Sequence, residues 1–213
     1  MSEPKVLSVL AAKGGVAKTC LSINVAGWSK LQQLKSVCVL DADRNRGAQL
    51  YAERGGPLPF FVFPISRYRS ALKEAEDLII IDGQASPDLD ELKGLAEDSD
   101  RVLVPATPHK VSLLLAVEVA EVLRGCDVDF RICLTKCDSR QFRAVESAIE
   151  FLQSEELPLL KSRTTLLSAY EQAEAAGALV GDATTDSGKK NPRSGDAWEE
   201  VSAIAAEITE GLI

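Results

Sequence analysis

The chain reads as an α/β protein: a doubly wound, mostly parallel sheet flanked by helices. Three observations predict this. Six short apolar runs rich in Val, Ile and Leu recur along the 213 residues. The runs are continuous rather than alternating, as expected of strands buried on both faces. Stretches with helical spacing separate them, giving β-α-β-α order throughout.

The first run, residues 5–11, ends at Lys13-Gly14-Gly15 with no cleavage-like region behind it, so it is a strand and not a signal peptide. Further strands are expected at 36–40, 60–63, 77–81, 101–104 and 128–134, with a short one at 158–160. Helices are expected at 18–31, 48–54, 67–75, 89–97, 112–123 and 140–152, then near 165–176 and 197–212. The polar stretch 181–196, GDATTDSGKKNPRSGD, is expected to be a mobile loop; only one helix lies beyond it, so it is no domain boundary. Residues 1–213 are read as a single domain.

Composition bounds the function. Lys and Arg number 24 against 32 Asp and Glu, a formal net charge of −8 that speaks against a polyanionic partner. Five cysteines, no two spaced CxxC, fit a reducing cytosol rather than a disulfide framework. One histidine, His109, leaves little for a zinc site. No apolar run reaches the roughly 18 residues of a membrane span.

The strongest feature is residues 11–19, Ala-Ala-Lys-Gly-Gly-Val-Ala-Lys-Thr, between the first strand and the first helix. A phosphate cradle belongs there, because loop and helix N–H groups converge and the helix dipole favours an anion. Gly14, Gly15, Val16 and Ala17 form the cradle. Lys18 neutralises the β- and γ-phosphates, Thr19 supplies a hydroxyl for Mg²⁺, and Cys20 sits near the α-phosphate. The strict GxxxxGK[ST] pattern fails, since its glycine positions hold Ala12 and Ala17; the variant KGGxxK[ST] fits.

With that loop the chain resembles the ParA/MinD family of P-loop ATPases, closest to the short ParA-type partition ATPases. The resemblance implies a deviant Walker A loop, ATP and Mg²⁺ as cofactors, and an ATP-dependent homodimer. In such a dimer Lys13 reaches across to the other copy's phosphates and stabilises transition-state charge. It also implies roles for three carboxylates. The second strand ends Asp41-Ala42-Asp43, where Asp43 positions the attacking water and joins the metal site, and Asp41 supports the metal shell. The fourth strand ends at Asp82, which resembles a Walker B carboxylate holding a metal-bound water. Arg44-Asn45-Arg46 departs from the family's usual Pro-Gln-Gly, and Gly83-Gln84-Ala85 from its frequent Thr-Pro-Pro. Lys13, Lys18 and Asp43 are therefore the expected catalytic set.

Thr135-Lys136-Cys137-Asp138 matches [NT]KxD, a guanine-reading motif, but the Lys13 loop belongs to an ATPase group, so ATP is favoured over GTP. Only four residues precede the first strand, so no N-terminal helix-turn-helix is expected. The last helix carries four Glu and no Lys or Arg; it reads as a packed closing helix and not the basic amphipathic tail of a MinD-like membrane ATPase. Iron–sulfur carriage and other chemistry on this scaffold find no supporting motif.

The resemblance thus implies non-specific DNA binding, nucleoid association in the cytoplasm, no membrane, and a ParB-like or other basic activator. The expected task is plasmid or chromosome partition, with other cargo possible. The DNA face is expected at Lys161, Arg163, Lys189, Lys190 and Arg193, with Lys136, Arg140 and Arg143 nearby.

Overall fold

The computed structural model describes residues 3–213. Six parallel strands form one sheet: β1 (Lys5–Ala11), β2 (Val37–Asp41), β3 (Phe61–Pro64), β4 (Leu78–Ala85), β5 (Arg101–Ala106) and β6 (Asp129–Leu134). Their order is β3-β2-β4-β1-β5-β6. Eight α-helices complete the described chain: α1 (Lys18–Gln32), α2 (Gly47–Arg54), α3 (Tyr68–Glu74), α4 (Leu89–Glu97), α5 (Lys110–Gly125), α6 (Phe142–Ser154), α7 (Ser168–Ala176) and α8 (Ser194–Thr209).

The predicted burial on both faces is borne out for β1, β2, β4 and β5 but not for β3, whose Phe61 is exposed and whose other residues are half-buried. Leu7, Val9, Val39 and Ile80 pack with Leu21, Val25, Trp28, Ile204 and Ile208 of α1 and α8. Their neighbours Val6, Cys38, Leu40, Ile79 and Ile81 face Ala71 of α3. Leu10, Val102, Val104, Ile132 and Leu134 meet α4, α5 and α6. The closing helix α8 is packed as its Val201, Ile204 and Ile208 spacing predicts, and all three are fully buried. Among the described residues no helix is long and apolar enough to cross a membrane.

From β1 the chain leaves toward β2, whereas from β4 it leaves toward β5. The connections thus diverge beside the carboxyl end of β1, where open α/β sheets place their ligand crevice. Asp41 and Asp82 are register partners on β2 and β4. The β1–β4 register slips between Val9 and Ala11, leaving one extra residue on β4. Gly83 occupies this bulge: a Cβ there would stand 2.6 Å from Leu10 and 3.0 Å from the Val9 carbonyl oxygen. β4 therefore runs past Asp82, which lies within the strand and not at its end.

Two expectations need correction. Residues 158–160 do not form a strand. The segment beside β6 makes two isolated parallel bridges, Ile132–Leu159 and Cys137–Thr165. Their offsets differ by one residue, so a bulge interrupts the pairing. Its N–H groups at Lys161 and Ser162 are taken by Glu207 of α8, at 2.8 and 3.0 Å. The stretch 181–196 is a loop as expected up to Arg193, but it is tied to the fold. Thr184 and Lys190 bridge antiparallel. The buried Asn191 amide donates to Ser168 and Gln172 of α7, at 3.2 and 2.6 Å, and α8 already begins at Ser194. These ties are long-range side-chain contacts, and composition does not show them.

Candidate functional site

Residues 12–17 wrap from β1 into α1. Gly15 and Ala17 both take left-handed backbone, φ 77° and 68°. For alanine that conformation costs roughly 1–2 kcal/mol, so the turn is held by its surroundings. Thr135 at the end of β6 donates its hydroxyl to the Val16 carbonyl at 3.1 Å, and Ser86 after β4 donates to the Ala12 carbonyl at 3.0 Å. No side chain caps α1, so its first N–H groups stay available to an anion.

The loop borders a cavity of about 220 Å³. Gly14, Gly15, Ala17, Lys18, Thr19, Cys20 and Asp43 line it together with Lys136, Thr164 and, from α7, Tyr170, Glu171 and Glu174. Lys18 is 7% exposed, and its ammonium donates to the Lys13 carbonyl at 3.3 Å. Burial pulls the Lys18 pKa below that of a free lysine, while Asp82 and Asp43 oppose the shift. Beneath the loop Asp82 is fully buried. It accepts from the Thr19 hydroxyl at 2.7 Å and the Ser22 hydroxyl at 2.9 Å. Burial nevertheless pushes its carboxyl up to about 7, with the two hydroxyls holding it down and Asp41 adding to the rise.

Asp41 is hydrogen-bonded to the loop and helix that follow it. Its Oδ1 accepts from the Asp43 N–H at 3.0 Å, and its Oδ2 accepts from the N–H and side-chain amide of Gln49 at 2.9 and 3.3 Å. It thereby ties the 42–47 loop and the first turn of α2 to β2. Asp43 is half-buried and accepts from the Asn45 N–H at 2.8 Å. Gly47 lets α2 approach the metal-binding hydroxyl expected at Thr19, since a Cβ would lie 3.2 Å from that oxygen.

Lys13 does not line this cavity. It borders a second one of about 270 Å³ across the loop, with Thr107, Pro108, His109, Asp138 and Gln141. Cys20 is buried with its thiol pushed up to about 12 by desolvation, and the Asn24 amide donates to its sulfur at 3.6 Å. Asp138 is closed on Arg140, which donates to it through Nε and Nη2 at 2.9 and 2.8 Å. These bonds pull the carboxyl down to about 2.

Of the expected DNA residues, Lys161 and Arg163 lie exposed on the segment beside β6, and Lys189 and Lys190 on the 184–190 turn. Arg193 is paired with Asp196. Sequence reasoning missed Ser22, one turn beyond Thr19 on the same helix face. It also missed Gln49 and Tyr170, whose roles depend on distant partners.

A P-loop at this switch point, backed by a buried carboxylate on the adjacent strand, has known counterparts. No protein-family profile matches the chain. Over 185 residues it is 28% identical to the maintenance of carboxysome distribution protein A of Gloeobacter kilaueensis, covering 84% of this chain and 85% of that protein. The cell division protein MinD of Aquifex aeolicus superposes with a TM-score of 0.74 at 14% identity, over 97% of each chain. The ATP complex of a Cyanothece McdA variant superposes with a TM-score of 0.71 at 14% identity, over 100% of this chain and 97% of that one. The chain has the ParA/MinD P-loop fold. Residues 11–20 and 41–43 stand at the carboxyl ends of β1 and β2, and Asp82 lies beside them within β4.

Proposed function

We propose that the chain is a ParA-type positioning ATPase that binds Mg²⁺–ATP in the cavity at residues 14–20. The observation that carries this reading is the fully buried Asp82, shared by Thr19 and Ser22 beneath an uncapped helix and a buried Lys18. Such a carboxylate, raised by burial, suits a site completed by a cation.

Mg²⁺ fits the residues present. Among the described residues no three His, Cys, Asp or Glu side chains converge to cage a metal. Mg²⁺ at phosphate sites keeps waters and phosphate oxygens and needs few protein ligands; Thr19 offers one, and Asp82 stands behind it to hold a bound water. The ion would neutralise charge on the β- and γ-phosphates. Lys18 shares that task from the loop side, and the α1 N-terminus holds the phosphate chain. Asp43 orients the attacking water, and Asp41 positions Asp43 through its backbone N–H. Lys13, which lines the adjoining cavity with Thr107 and His109, acts on a second copy across an ATP-dependent dimer. The intrinsic rate is weak and rises with a basic, ParB-like activator. ATP is the nucleotide, in keeping with the Lys13 loop and with the ATP complex of the Cyanothece McdA variant that shares the fold.

Hydrolysis drives the positioning of a cargo on non-specific DNA in the nucleoid, with Lys161, Arg163, Lys189 and Lys190 as the cationic contacts. The named relative's task makes a carboxysome-like body a candidate cargo beside plasmid or chromosome. Light scattering and labelled-duplex anisotropy test this directly. The Asp43→Ala protein is expected to be a DNA-bound dimer with ATP and a free monomer with ADP, its binding falling steeply with salt. A monomer in ATP, or equal DNA binding without nucleotide, contradicts the reading.

A further inference from the structure

Far from the nucleotide cavity, the sheet ends in β3, which is bonded to β2 on one side and to no strand on the other. An open strand edge is a template for another chain. The strand is short and ends at Pro64, but no acidic side chain lies along it. Residues 54–73 contain Arg54, Arg67, Arg69 and Lys73 and no Asp or Glu, in a chain whose formal net charge is −8. Arg54 pairs with Glu174. Arg67, Arg69 and Lys73 are exposed and make no ion pair among the described residues.

Apolar groups share the same edge. Phe61 is 56% exposed and stacks on Phe63, ring centroids 5.6 Å apart. The Arg67 guanidinium lies 5.2 Å from the Phe63 centroid. Ile65, Tyr68 and Leu72 follow, each more than a third exposed. Exposed apolar groups on β3 and on the turn and helix after it, with unpaired cations among them, mark a protein-binding surface. The aliphatic members favour a polypeptide over a nucleic acid, whose bases would seek aromatic faces alone.

We propose that the β3 edge, with Phe61, Ile65, Arg67, Arg69 and Lys73, docks an extended acidic segment of a partner protein with apolar side chains at alternate positions. The main chain of that segment extends the sheet beyond β3. Its apolar side chains cover Phe61 and Ile65, and its carboxylates meet the unpaired cations. The acidic remainder of this chain repels the same segment, which confines it to the edge. This inference stands apart from the nucleotide reading and uses none of its residues.

A fluorescein-labelled peptide of alternating glutamate and valine, titrated with the full chain, is the test. Three comparisons accompany it: the same peptide with lysine for glutamate, one with the same residues in two blocks, and single-stranded oligo-dT. The alternating acidic peptide is expected to bind, to protect the amides of residues 61–63 from hydrogen exchange, and to weaken at least about tenfold in Arg67→Glu/Arg69→Glu and in Phe61→Ser. Each variant must melt as the parent does; Arg69→Lys, which keeps the charge, is expected to bind normally. No binding of the acidic peptide, binding unchanged in both variants, equal binding of the lysine or blocked peptide, or protection elsewhere than at β3 overturns the proposal. Oligo-dT binding that both variants abolish would make the edge a nucleic-acid face and overturn it as well.

Discussion

The loop after β1 and the segment that runs beside β6 are held in opposite ways. Residues 12–17 are pinned from outside at their carbonyls, Val16 by Thr135 and Ala12 by Ser86, ahead of an uncapped helix. Residues 158–166 are pinned from outside at their N–H groups. Glu207 takes two of their N–H groups, and Glu200 takes the Thr165 N–H and hydroxyl at 2.9 and 2.5 Å. The Tyr170 hydroxyl also donates to Glu200, at 2.7 Å. One segment presents empty donors to a ligand, whereas the other has spent its donors on α8. A loop that binds leaves its hydrogen bonds open, and a loop that supports closes them.

The largest effect expected from this contrast is chemical. Lys18→Ala should lower ATP affinity by about 100-fold or more, because a buried cation facing phosphate is lost. Glu207→Ala should leave ATP affinity unchanged and cost about 1 kcal/mol of stability, since its two N–H partners can turn to water. Titration with a fluorescent ATP analogue, beside a urea melt, separates the two. Loss of ATP binding in a folded Glu207→Ala protein would erase the distinction.

A smaller effect concerns pH. The Asp82 carboxyl titrates near 7 when folded and in the ordinary carboxylate range when unfolded. The folded state thus holds the proton more tightly. Its contribution to stability is present below the unfolded pKa and is lost as pH rises through 7. Asp100 and Glu207 are shifted downward, so they are already ionised at pH 5 and add no slope above it. Nucleotide-free protein should lose roughly 2–4 kcal/mol between pH 5 and 8. Asp82→Asn should flatten that slope, and Mg²⁺–ATP should restore stability at pH 8. Urea midpoints at the two pH values measure both, and an equal slope in Asp82→Asn would assign the loss to another group.

The same contrast explains what was legible in the sequence. The sheet, its crevice and the cradle rest on local signals: continuous apolar runs, Gly14-Gly15, and Lys18-Thr19 opening a helix. Asp82 was legible because an apolar run precedes it. Asp41 was legible as a carboxylate at a strand end, but its hold on Gln49 was not, since that bond depends on how α2 folds back. The interrupted edge strand and the ordered 184–190 turn were missed for the same reason. Each rests on a side chain far along the chain, Glu207 for one and Asn191 for the other. The acid-free stretch 54–73 lay in plain view, and only the sheet order makes it an edge.

Lys13 carries the central claim, because it borders a cavity other than the one holding Lys18, Thr19 and Asp43. Mixing Lys13→Ala with Asp43→Ala protein tests it most directly. Each variant alone should be inactive while still binding ATP. A mixed dimer has one complete site, with the cradle from one copy and Lys13 from the other, so an equimolar mixture should recover up to about a quarter of the parent ATPase rate. A mixture that stays inactive, or a Lys13→Ala protein that hydrolyses ATP at the parent rate, would contradict the account.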